Sequence, residues 1–120
     1  MASDVNNLAL LLIATNRLAE AEPLMRRSLA IDEASYGPEH PNVARDLNNL
    51  ALLLKATNRL AEAEPLMRRA FVVFWKSLGL DHPNTQNVGG NYITLLQEMG
   101  LPEAEIQAKL QALQAPPSAP

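Results

Sequence analysis

Residues 46–69 read DLNNLALLLKATNRLAEAEPLMRR, and residues 4–27 read DVNNLALLLIATNRLAEAEPLMRR. Twenty-two of these 24 positions are identical, the exceptions being Val5 against Leu47 and Ile13 against Lys55. A recurrence at a fixed offset of 42 residues marks a repeat architecture, in which one supersecondary unit buries its apolar face on the next. The correspondence fades after Arg27 and Arg69. It resumes at Ser35/Ser77, Gly37/Gly79 and the trio His40-Pro41-Asn42, which returns as His82-Pro83-Asn84. A weaker third copy follows: Asn91 stands in place of Asn49, and Leu95-Leu96 in place of Leu53-Leu54. Glu103-Ala104-Glu105 then replaces Glu62-Ala63-Glu64 after a one-residue deletion.

Each unit reads as a helical hairpin. Between Asn42 and Thr57, Leu47, Leu50, Leu53 and Leu54 with Ala51 follow the i, i+3, i+4, i+7 spacing of a helix stripe. Leu52 lies off that stripe, so this helix is apolar nearly all round, as packing on several sides requires. Pro41 suits a first helical position, where its missing N–H costs nothing. Thr57-Asn58-Arg59 forms the turn, with Asn58 accepting the left-handed conformation that ends a helix. A second helix is expected from Leu60 to Leu78, stopped by Gly79, with a loosened or slightly bent start at Pro65. Glu22/Arg26 and Glu64/Arg68 should form i, i+4 pairs. One hairpin cannot bury its own apolar face, and three stacked units are the usual minimum. The expected fold is therefore all-α: a right-handed α-solenoid of three helix-turn-helix repeats, about six helices, with the third repeat degenerate. The repeats span about 3–40, 41–82 and 83–114 within a domain covering 1–114. The Pro/Ala-rich segment 115–120 is expected to be a disordered tail.

Composition narrows the function. A chain of 120 residues, 48% hydrophobic and 4% aromatic, holds one core and reads neither as a barrel nor as a disordered segment. With no cysteine, disulfides, thiolate zinc sites and thiol catalysis are excluded. A net charge of −3 argues against nucleic acid as a partner. The longest apolar run, Leu8 to Ala14, falls far short of the roughly 20 residues that cross a bilayer. It lacks a preceding positive charge and recurs in mid-chain, so no export signal and no membrane partner are expected, and the location expected is cytoplasmic.

The pattern Leu47-Asn48-Asn49-Leu50-Ala51, then Asn58 through Leu66, Arg69-Ala70, Gly79 and the His-Pro-Asn trio resembles the 42-residue tetratricopeptide repeat of kinesin light chains and their bacterial relatives. Leu50, Ala51, Leu54, Leu60, Ala63, Met67 and Ala70 occupy that family's packing positions, as do Leu8, Ala9, Leu12, Leu18, Ala21, Met25 and Ser28 in the first unit. The resemblance covers Ser3 to about Gln114. It implies a non-catalytic scaffold that holds short peptide segments in a groove. Gly89-Gly90 in place of Leu47-Asn48, and Leu101-Pro102 in place of Arg59-Leu60, depart from the pattern.

Asn7, Asn49 and Asn91 recur at the repeat spacing, and the resemblance implies that they face the groove and bind peptide main chain. A side-chain amide both donates and accepts, so it can pair with a peptide bond whatever the ligand's sequence. Asn6, Asn48, Leu10, Leu52 and Arg45 should share or flank that face. The alternative is that these asparagines are exposed helix positions copied with the repeat. His40 and His82 lie one unit apart and are expected to start helices rather than bind metal. No Ser/His/Asp set, phosphate loop or HExxH motif is present, so no enzyme, cofactor or metal is expected. Where the copies disagree, Ala30-Ile31-Asp32-Glu33-Ala34 becomes Val72-Val73-Phe74-Trp75-Lys76. Phe74 and Trp75 are covered by the third unit, contact another chain, or form a lone patch. With Leu8, Leu11 and Leu12 at the open end of the stack, they leave room for a homo-oligomer, a dimer or an end-to-end stack, as the second reading.

Overall fold

The chain, as a computed structural model, is described at residues 11, 12 and 14–114, and these residues contain helices and no strand. Five helices follow one another: α1 Leu18–Tyr36, α2 Pro41–Ala56, α3 Leu60–Leu78, α4 Pro83–Glu98 and α5 Glu103–Gln114. Leu11, Leu12 and Ala14 are helical too. The rest of the expected first helix and the tail at 115–120 lie outside the described residues. Each helix packs chiefly on its neighbour in the chain, α1 on α2 through to α4 on α5. Links of three or four residues make such neighbours antiparallel hairpins. The result is an elongated body of 42 × 32 × 24 Å, as a helical solenoid requires.

The helix ends follow from the punctuation in the sequence. His40 Nδ1 accepts the Asn42 N–H at 3.1 Å, and His82 Nδ1 accepts that of Asn84 at 3.1 Å. Each histidine thus caps the helix that its proline opens, with the ring proton on Nε2. Tyr36 stacks on His40 with ring centroids 4.3 Å apart. Asn16 and Asn58 both adopt φ 61°, the left-handed geometry expected of Asn58. Gly37 and Gly79 close α1 and α3 at φ 86° and 89°. Helix α3 runs unbroken across Pro65. The intra-helix pairs form, Arg26 to Glu22 at 3.1 Å and Arg68 to Glu64 at 3.8 Å. Arg59 adds a link between units, reaching Glu22 at 2.6 Å.

The core is continuous from Leu12 to Ile106 and centres on Leu47, Leu50, Leu53 and Leu54 of α2 with Tyr92, Leu95 and Leu96 of α4. Tyr92 is wholly buried, and its hydroxyl donates to Glu64 at 2.5 Å. The α4–α5 link, residues 99–102, is one residue longer than the α2–α3 link, residues 57–59. The one-residue deletion expected there is therefore an insertion. Ile106, Leu110 and Leu113 take the places of Ala63, Met67 and Ala70, and they supply the stripe by which α5 meets the core.

The two glycines of α4 differ in kind. A Cβ on Gly89 would lie 3.1 Å from Phe71 Cε1, whereas one on Gly90 would meet nothing within 4 Å. Gly89 makes room for a ring, and Gly90 only adds backbone freedom to the unfolded chain. Replacing Gly90 with alanine is expected to stabilise the fold by about 0.5–1 kcal/mol, read as a higher denaturant midpoint.

Candidate functional site

Helices α2 and α4 each open a hairpin and lie in the same register 42 residues apart. Between them runs a cleft of ≈ 310 Å³. Asn42, Arg45, Asn48 and Asn49 border it from α2, beside Pro41, and Asn84, Asn87 and Val88 from α4. Phe74 of α3 closes the floor. The spacing explains the arrangement: 42, 45 and 49 fall on one helix face, as do 84, 87 and 91. Five amides thus line a cleft whose floor is apolar, where a chain of alternating backbone donors and acceptors can be matched.

The expected site residues divide into several groups. Asn48, Asn49 and Arg45 line the cleft. Asn91 acts one step back: its Nδ2 donates to Asn48 Oδ1 at 3.3 Å and so orients an amide that is 7% exposed. Leu52 is half-buried against the core. Asn6, Asn7, Leu8 and Leu10 lie outside the described residues. Phe74 is 4% exposed, covered within the chain apart from its edge on the cleft, and Trp75 is half-buried. Leu12 is buried, and Leu11 is 59% exposed. Asn42, Asn84 and Asn87 were not anticipated as lining residues. Their signal was the three-and-four spacing to Asn49 and Asn91, hidden because Asn42 and Asn84 also end the His-Pro-Asn trio.

Behind the α2 side of the cleft lies a buried polar cluster. Ser28 and Asp32 of α1 meet Asp46 of α2, and all three are at most 3% exposed. Ser28 Oγ donates to Asp46 Oδ1 at 3.2 Å. Arg45 Nη2 stands 3.6 Å from Asp32 Oδ2 and 3.7 Å from Asp46 Oδ1. Burial pushes the Asp46 carboxyl up to about 7, the adjoining Asp32 carboxyl pushes the same way, and Arg45 and Ser28 only partly offset them. One unit further on, the equivalent positions are Ala70, Phe74 and Val88, all buried and all apolar. Among the described residues no group of three or more His, Cys, Asp or Glu side chains could hold a metal ion. No described helix is long and apolar enough to cross a membrane.

Comparison with known proteins agrees with this architecture. The family profile described as tetratricopeptide repeat matches residues 2–74. No curated protein matches the sequence. Among solved structures, BtubC (BKLC) from P. vanneervenii superposes with a TM-score of 0.76 at 23% identity, over 82% of this chain and 39% of that one. The nearly identical TPR-like repeats of a Podosopora anserina protein described as a kinesin light chain give 0.74 at 22% identity, over 82% of this chain and 46% of theirs. A single-substitution variant of those repeats gives 0.72 at 23% identity, over 94% and 53%. This chain therefore spans roughly half the length of those structures or less, and at such identities the likeness is one of fold. The profile match covers more than half the sequence, and the chain belongs to the tetratricopeptide-repeat family.

Proposed function

We propose that this chain is a non-catalytic protein-interaction scaffold whose concave cleft holds an extended peptide segment. In this reading the domain is a right-handed solenoid of three units at about 3–40, 41–82 and 83–114, the third degenerate. The observation that carries it is the recurrence of amides on one face of two successive first helices: Asn42 and Asn49 on α2, Asn84 and Asn87 on α4, bordering one cleft. Amides spaced by one repeat suit a ligand main chain, and Phe74 and Val88 give an apolar side chain a floor to rest on. The tetratricopeptide-repeat fold generally serves contacts between proteins, which agrees with the reading.

Each amide contact contributes about 1 kcal/mol net, so two together account for a factor of about 30 in Kd. The test is selection of binders from a random phage-displayed peptide library, followed by titration of the best peptide into Asn49→Ala/Asn87→Ala. We expect an affinity loss of about 10- to 30-fold with unchanged helical circular dichroism. Equal affinity for the double variant would remove the cleft from the binding surface.

A further inference from the structure

We infer that Asp46 keeps its proton at the α1/α2 junction, turned toward the Asp32 carboxyl, and that losing this proton loosens the junction, making it a pH-sensitive joint in the solenoid. The inference begins with a charge count. Two carboxyl groups, 3% and 1% exposed, lie within hydrogen-bonding reach of each other, and a single guanidinium faces them both. Arg45 Nη2 stands off by 3.6 and 3.7 Å, beyond good hydrogen-bond distance, and its buried Nε has no hydrogen-bond partner among the described residues. One oxygen on each acid, Asp32 Oδ2 and Asp46 Oδ2, likewise has none. Two adjoining carboxyl groups, each keeping an oxygen without a donor, are reconciled when Asp46 carries a proton that it can donate to its neighbour. With both acids ionised, the site would keep an uncompensated buried negative charge, the costlier arrangement.

The described surroundings supply no second cation. Among the described residues, the charged groups that act on Asp46 are Asp32 from α1 and Arg45 from α2 itself. Helix α3, which packs on the other side of α2, directs Arg69 away, to Glu33 at 3.5 Å and to the Pro38 carbonyl at 3.3 Å. The location matters because α1 and α2 come from successive units, so the acid pair sits where one repeat nests on the next. Arg45, which leans on the pair, is also a wall of the cleft.

The sign of the pH dependence follows. The Asp46 carboxyl is raised from 3.8 to about 7 in the folded chain, so between those values the native state binds more protons than the unfolded one. The pair's contribution is fully present below pH 4 and is lost as pH rises through 7.

The experiment is a carboxyl-carbon NMR titration of the ¹³C-labelled chain, paired with thermal melts from pH 5 to 8. We expect the Asp46 carboxyl to titrate near pH 7 and the Tm to fall by about 5–10 °C across that range. Asp46→Asn, whose amide can donate to Asp32, is expected to remove that fall. Asp32→Asn is expected to bring the Asp46 midpoint down. An Asp46 midpoint below pH 5, or an Asp46→Asn variant that keeps the full slope, would overturn the inference. Should a variant not fold, the titration of the unsubstituted chain decides by itself.

Discussion

Replacing Ser28, Asp32 and Asp46 together by the residues that hold the same positions one unit later, as Ser28→Ala/Asp32→Phe/Asp46→Val, should make the protein more stable by about 1–4 kcal/mol at pH 8. The chain itself contains both solutions to one packing problem. At 28, 32 and 46 the junction between units is filled by a hydroxyl and two acids; at 70, 74 and 88 the next junction is filled by a methyl, a ring and an isopropyl group. Both trios are buried to within a few per cent of completely, so the backbone accommodates either set. The polar set takes two carboxyls out of water against one arginine, and its attraction is imperfect because Arg45 stands beyond good hydrogen-bond distance. An apolar set avoids that desolvation and gains buried carbon surface instead. Arg45, with a side chain 41% exposed, can turn to solvent once its acids are gone. Urea unfolding at pH 8 and at pH 5 measures the change, and the gain should be greater at pH 8, where the acid pair has lost its proton. A triple variant weaker than the parent at both pH values would mean that the acids stabilise the junction despite their burial.

Why the sequence disclosed some of this and concealed the rest has a physical reason. Local chemistry was legible: His40-Pro41 and His82-Pro83 start helices, Asn58 turns left-handed, and Leu47, Leu50 and Leu54 point inward, because caps, φ preferences and helical period act within a few residues. The repeat then fixed the order of packing, since each hairpin has only its neighbours on which to bury that stripe. Less legible was what depended on two units at once. Asn91 carries the recurring amide, yet its partner is Asn48 of the previous unit, 43 residues earlier, a contact no single helix wheel displays. Asp32 stands beside Glu33 in a stretch where the two copies disagree, and no local pattern shows that it lies beneath α2 and adjoins Asp46. Asn42 and Asn84 were absorbed by their capping trio although they also border the cleft. The insertion before α5 was hidden because Glu103-Ala104-Glu105 matches Glu62-Ala63-Glu64 in letters, while burial follows Ile106, Leu110 and Leu113.

The same logic of paired units sets the second large effect. Gly89→Leu restores the residue found at Leu47, yet it should destabilise the protein by about 1–3 kcal/mol. Leucine removes a helix glycine, which alone would gain roughly 1 kcal/mol. That gain is outweighed because even a Cβ at this site lies 3.1 Å from Phe71 Cε1, and the branched remainder of leucine extends further into a ring that is only 5% exposed. At the preceding junction, between the first and second units, the positions of Phe71 and Gly89 are held by Leu29 and Leu47, so bulk has moved from one helix to the other while the space between them stayed filled. Phe71→Leu alone should cost about 1 kcal/mol or more, through the cavity left above Gly89. The double variant Phe71→Leu/Gly89→Leu recreates the pairing of the preceding junction and should recover most of the loss, with a coupling of about 0.5–3 kcal/mol between the two sites. Denaturant midpoints of the four proteins complete the cycle. Additive losses would show that Gly89 is not paired with Phe71 in this way, and that the third unit tolerates the glycine for a reason unconnected with the ring.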